Sequence, residues 1–140
     1  MRVVRTTTGG KTYDTVTFVW MQGESDAKSR LSAVYADSFK GILAQLKEDL
    51  KRDEISFVIG RLSDFKGYDQ ESWNGIRDAQ VKLAEEAPNG DWVDTDDLND
   101  VKDEEGNIRH GLHYTPEGYK ILGQRFAEKA IALISEGGKE

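Results

Sequence analysis

The sequence predicts an α/β protein built on a small parallel sheet, and three observations carry that prediction. Short β-branched or aromatic runs recur at Val16-Thr17-Phe18-Val19-Trp20, Ile55-Ser56-Phe57-Val58-Ile59 and Trp92-Val93. Longer segments with apolar residues at helical spacing separate and follow them. The first two runs are apolar at most positions, the pattern of strands buried on both faces of a parallel sheet. Strands that alternate with helices are joined by right-handed crossovers, and ligands of such sheets bind beyond the strand C-termini.

The first strand runs into Gln22-Gly23-Glu24-Ser25 at its C-terminal end. A helix follows, with Leu31, Val34, Tyr35, Phe39, Ile42, Leu43, Leu46 and Leu50 as its apolar stripe and lysines and acids between them. Its Lys47 to Arg52 charge run reads as an exposed helix end. The second strand ends in the loop Gly60-Arg61-Leu62-Ser63-Asp64. A helix from about Gln70 to Ala87 presents Trp73, Ile76, Leu83 and Ala84 inward, and Pro88-Asn89-Gly90 stops it and turns the chain into the third strand.

Residues 94–113 form an acidic, glycine-containing stretch with little apolar periodicity. That is long for a connection within a compact domain, so it is read as an active-site loop. Thr115-Pro116-Glu117 then starts a helix: a hydroxyl N-cap, a proline whose missing N–H costs nothing there, and an acid favoured by the helix dipole. Tyr119, Leu122, Phe126, Ala130 and Leu133 are its expected buried stripe, and Gly137-Gly138 ends it. Three strands make a narrow sheet with exposed edges, which suggests that further strands belong to it.

With 140 residues, 37% hydrophobic and 32% charged, the chain suits a single domain. A net charge of −7 disfavours nucleic acid and anionic membrane surfaces as partners. The absence of cysteine excludes a disulfide framework, a thiolate metal site and a cysteine nucleophile. No apolar run approaches the roughly 20 residues that cross a bilayer. Met1-Arg2-Val3-Val4-Arg5 is not followed by a signal-like apolar stretch, and localisation stays open.

Three segments carry chemistry: Trp20-Met21-Gln22-Gly23-Glu24-Ser25-Asp26, Trp92-Val93-Asp94-Thr95-Asp96-Asp97-Leu98, and His110-Gly111-Leu112-His113-Tyr114-Thr115-Pro116-Glu117-Gly118-Tyr119. In this order they resemble the later conserved blocks of SGNH hydrolases, with the closer match to the sialate O-acetylesterase and carbohydrate esterase family 6 branch, which includes acetylxylan esterases. The resemblance implies a three-layer α/β/α sandwich with a flavodoxin-like parallel sheet. It also implies hydrolysis of O-acetyl esters on sugars through a serine nucleophile and a histidine base, without a cofactor. The family's serine sits in a Gly-Gln-Ser-Asn-like turn after an N-terminal strand, and nothing before Trp20 matches it; Gly9-Gly10 is a poor glycine donor. The expectation is one SGNH-like domain over residues 1–140 that is truncated at its N-terminus, with an oligomer or a second chain as another source of the missing strands.

By the resemblance, Gln22 is the oxyanion donor and His113 the base. A side-chain amide at a strand end suits the first role and an imidazole titrating near neutrality the second. Gly23 permits close backbone approach, and Glu24 is expected to orient Gln22, bind a substrate hydroxyl or cap the coming helix, with structural support favoured. The bland reading of Gln22-Gly23 is a simple turn, and of His113 a solvated loop histidine. The family places aspartate three residues before the histidine, where this sequence has His110. Asp100, Asp103 or Glu105 are the acids able to replace it, and the spacing does not choose among them. Asp97 or Asp94 is expected to brace the site by hydrogen bonds within an otherwise solvated acid run, and Tyr114 to lie near substrate.

Ser25 lacks the second glycine of a nucleophile elbow, and Ser63 has no base specified by sequence. The Asp94, Asp96, Asp97 and Asp100 cluster has no EF-hand spacing, and no metal site is assigned. Trp20, Tyr35, Trp73 and Trp92 read as core rather than sugar platforms. The alternative to an esterase is a non-catalytic descendant that binds carbohydrate or protein at the same sheet edge, a reading His110 favours.

Overall fold

A computed structural model describes residues 13–108 and 111–137. Three strands, β1 (Thr17–Trp20), β2 (Ser56–Gly60) and β3 (Gly90–Val93), form a parallel sheet in the order β1-β2-β3. Phe18 lies opposite Phe57, and Trp20 opposite Ile59, which in turn lies opposite Trp92. The helices are α1 (Glu24–Lys28), α2 (Ser32–Leu50), α3 (Gln70–Glu85) and α4 (Pro116–Gly137). None of the described helices is long and apolar enough to cross a membrane.

The period of two along each strand divides the side chains between two cores, and the result is a three-layer α/β/α sandwich. Phe57 and Ile59 bury against Tyr35, Phe39, Trp73, Ile76 and Leu83 from α2 and α3, with Phe18, Trp20 and Trp92 packed at the margin. Val58 and Val93 point the other way, onto Leu122 and Phe126 of α4, together with Leu98 and Tyr114. Each such fully buried large side chain contributes roughly 1.5–3 kcal/mol relative to exposure.

Local chemistry sets the helix ends as the sequence suggests. Asp69 caps α3 by accepting from the Ser72 N–H at 2.9 Å, and Thr115 Oγ1 accepts from the Gly118 N–H at 3.0 Å to start α4. At the end of α2, Arg52 N–H bonds Lys47 O and Lys51 N–H bonds Glu48 O, a Schellman closure. Its left-handed position is held by Lys51, at φ 53°, rather than by glycine.

Several expectations need correction. The segment after Gln22 forms a separate short helix, α1, and Leu31 becomes the residue preceding α2. Leu31 and Val34 are exposed, because Ser32 is the residue of that turn that faces α3, at Gly75; Tyr35 and Phe39 are the buried residues of α2. Tyr119 is likewise exposed, with its ring edge-on to Tyr114 at 5.3 Å. β1 is not covered on both faces: Val19 is 48% exposed, since α4 packs on β2 and β3.

Candidate active site

The turn after β1 is fixed by a buried polar network. Tyr35 hydroxyl donates to Gln22 O at 2.9 Å and accepts from Trp20 Nε1 at 3.0 Å. Gln80 Nε2 donates to Gln22 O at 2.8 Å and to the Tyr35 hydroxyl at 3.1 Å, while its Oε1 accepts from Leu62 N–H at 2.9 Å. One fully buried glutamine on α3 therefore ties the C-terminal end of β1 to that of β2. Burial pushes the Tyr35 hydroxyl above its ordinary pKa, against the opposing hydrogen bonds from Gln80 and Trp20.

Gly23 has to be glycine at this turn. Its φ is +145°, and an added Cβ would meet Ile76 at 2.9 Å, Gln80 at 3.2 Å and Leu62 at 3.3 Å. The Gln22 side chain donates from Nε2 to Asp26 Oδ2 at 2.5 Å, which orients the amide and leaves it a second N–H. Asp26, not Glu24, makes this contact. Glu24 opens α1 and is partly buried.

The end of β2 reaches the histidine segment. Trp73 Nε1 donates to Ser63 O at 2.7 Å, and Ser63 Oγ donates to Leu112 O at 3.2 Å. Ser63 is 2% exposed, so its hydroxyl is committed to structure. Asn99 Nδ2 donates to Asp64 Oδ1 at 2.8 Å and to Gly111 O at 2.9 Å. His113 follows, exposed, between half-buried Leu112 and buried Tyr114. His110 lies outside the described residues.

Tyr114 is 5% exposed and sits in the core on the α4 side, with Met21 from the end of β1 packed against the same cluster. Burial raises its hydroxyl pKa to about 12, reinforced by the neighbouring Tyr119 and by the charges of Glu24 and Asp96, and the hydroxyl has no hydrogen-bond partner among the described residues. Met21, just before Gln22, and Tyr114, just after His113, thus belong to one apolar cluster on the α4 side of the sheet.

Among the acids of the loop, Asp103 holds its own turn, accepting from Glu105 N–H at 3.0 Å and Asn107 N–H at 2.8 Å. Asp100, with φ 60°, brings Oδ1 to 3.5 Å from the position of a Cβ on Gly111. The acid run that opens the loop lies on the exposed surface, as expected, and is ion-paired there. Arg61 bonds Asp94 at 2.6 Å and Asp96 at 2.8 Å while lying over the Trp92 ring at 4.9 Å. Arg77 grips both oxygens of Asp96, and Arg125 both oxygens of Asp97. The Arg125 guanidinium holds the Asp97 carboxyl below the usual range. Among the described residues no group of three or more His, Asp or Glu forms a metal site.

A family model described as carbohydrate esterase, sialic acid-specific acetylesterase matches residues 2–132. The chain belongs to this carbohydrate esterase family. No curated protein matches its sequence. Among solved structures, an Arabidopsis thaliana protein determined by X-ray crystallography at 1.6 Å is similar, with a TM-score of 0.65 and 23% identity. The match covers 91% of this carbohydrate esterase family chain and 47% of the plant protein, so the chain spans about half the length of that structure. At this identity the likeness supports the α/β fold.

Gln80, Asn99, Asp26 and the three arginines are absent from the sequence-based list of site residues. For Gln80 a signal exists: it is the polar residue within the stripe Trp73, Ile76, Leu83 and Ala84. Asn99 and the arginines have none, because their partners lie 12 to 35 residues away in loops.

Proposed function

We propose that this domain carries the base and oxyanion half of a sugar O-acetylesterase site. His113 takes the proton of a serine nucleophile, and Gln22 donates its second amide N–H to the developing oxyanion. The observation that carries the reading is the continuous set of contacts along one rim, from Gln22 O through Gln80 to Leu62 and from Ser63 to Leu112. Gly23 and Asp26 hold the Gln22 amide, Asp97 braces the loop through Arg125, and Glu24 contributes negative charge to the rim. Tyr114 serves as the packed base of the His113 turn, with only its backbone and rim edge toward substrate. The serine comes from a preceding segment of a longer chain or from a second chain. Acetylated xylan or sialic acid residues are the substrate class, and no cofactor is required.

The reaction is tested with p-nitrophenyl acetate on the 140-residue chain and on a version carrying a serine-bearing N-terminal segment. The short chain is expected to be nearly inactive. The longer one should turn over, losing about 10²–10⁴-fold with His113→Ala and about 10²–10³-fold with Gln22→Ala. Turnover by the longer protein that is indifferent to His113→Ala refutes the assignment. The second reading, carbohydrate binding without hydrolysis, is favoured by His110 standing where the resemblance expects aspartate; calorimetric binding of acetylated xylo-oligosaccharides without turnover would select it.

A further inference from the structure

A histidine base needs a partner that fixes its loop and its ring, and position 110 carries no carboxylate to do so. The two carbonyls that immediately precede His113 are instead held from the loops that follow β2 and β3. Asn99 Nδ2 donates to Gly111 O at 2.9 Å, and Ser63 Oγ donates to Leu112 O at 3.2 Å. On the other flank, Thr115 is locked as the cap of α4. The second N–H of Asn99 is committed to Asp64 Oδ1 at 2.8 Å, a charge-assisted bond that fixes which way the amide faces. With both hydrogens placed, Oδ1 is left buried and without a hydrogen-bond partner, in a side chain whose residue is only 7% exposed. A buried orphan acceptor is costly, and a donor supplied by a catalytic or binding event is one of the explanations for it.

We propose that Asn99 is the positioning residue for His113. Its Nδ2 holds the loop through Gly111 O, Asp64 fixes its orientation, and its Oδ1, unpartnered in this structure, accepts the imidazole N–H once the exposed His113 ring turns onto it, in place of a carboxylate at position 110. An amide carbonyl is sufficient for this task, as in enzymes that use a Cys-His-Asn arrangement. The proposal rests on His113 being the base. It adds a neutral acceptor, which orients the ring without contributing a full charge to the imidazolium.

The chain has two histidines, so long-range ¹H–¹⁵N spectra of the imidazoles, assigned with His110→Gln, read His113 directly. At mildly alkaline pH, His113 should be predominantly the Nδ1–H tautomer, and the Gly111 to His113 amides should show heteronuclear NOE values like those of α4. Asn99→Ala should shift the ring to the Nε2–H-dominated mixture of a free histidine and lower those NOE values, while Asn107→Ala, an exposed loop control, changes neither. If Asn99→Ala does not fold, Asp64→Ala decides: it removes the acceptor that fixes the Asn99 amide and should move the same signals in the same direction. Ring and amide signals indifferent to both substitutions overturn the proposal. These readouts do not depend on ester hydrolysis: an intact clamp in a protein that never hydrolyses esters would sink the esterase reading alone.

Discussion

Replacing Gln80 by methionine tests how much of the site's geometry depends on one buried amide. Methionine keeps the length and most of the volume of the side chain, so little cavity or overpacking is introduced. What disappears are the hydrogen bonds to Gln22 O, the Tyr35 hydroxyl and Leu62 N–H. At about 0.5–1.5 kcal/mol net per bond, three bonds contribute roughly 1.5–4.5 kcal/mol. Gln22 O keeps its bond from Tyr35, whereas Leu62 N–H is left buried without its partner, which sets the loss at about 2–4 kcal/mol. For a chain of this length that lowers Tm by about 6–20 °C. Urea unfolding followed by tryptophan fluorescence and circular dichroism measures it, with Gln124→Met as a control, since the Gln124 side chain bonds Glu128 one turn along the exposed face of α4. A Gln80→Met protein within about 0.5 kcal/mol of the parent would refute the claim that Gln80 ties the two strand ends together.

Gly23→Ala should cost about 2–4 kcal/mol in the same unfolding assay, combining the left-handed backbone penalty with the collision against Ile76. Lys51→Gly should stabilise by about 0.5–1 kcal/mol, because it relieves a left-handed lysine in the α2 closure. Tyr114 has its pKa raised from 10.0 to about 12, so the folded protein holds that proton after the unfolded chain has released it. Its contribution to stability is therefore complete below pH 10 and is lost as pH rises from there towards 12. Unfolding midpoints across that range should fall less steeply in Tyr114→Phe, and a difference titration at 295 nm should place the missing phenol near the upper end (wavelength about that of phenolate absorption).

The fold was legible because strand and helix periods are distinct over most of the chain. Phe57, Val58 and Ile59 announce a strand covered on both faces, and Trp73, Ile76 and Leu83 announce the helix that covers one of them. The same apolar pattern misleads at β1, where Val19 looks as buried as Val58 but belongs to an edge that α4 does not reach. Local rules also found the α4 start, since a cap is a matter of three consecutive residues. Long-range polar pairing was not readable. Nothing near Asp94, Asp96 and Asp97 in sequence identifies Arg61, Arg77 and Arg125 as their partners, and nothing near Gly111 points to Asn99. Tyr114 was legible as a neighbour of His113 but not as a core residue, because its burial depends on Leu122 and Phe126 arriving from α4.

The proposed site is tested most directly by titrating the 140-residue chain with acetylated xylo-oligosaccharides while following backbone amides by ¹H–¹⁵N correlation. Shifts concentrated at residues 21–25 and 111–115, and abolished together by Gln22→Ala with His113→Ala, are the predicted result. Shifts confined to the ion-paired surface of Asp94, Asp97, Arg125 and Lys129, with the Gln22 and His113 turns silent, would contradict it.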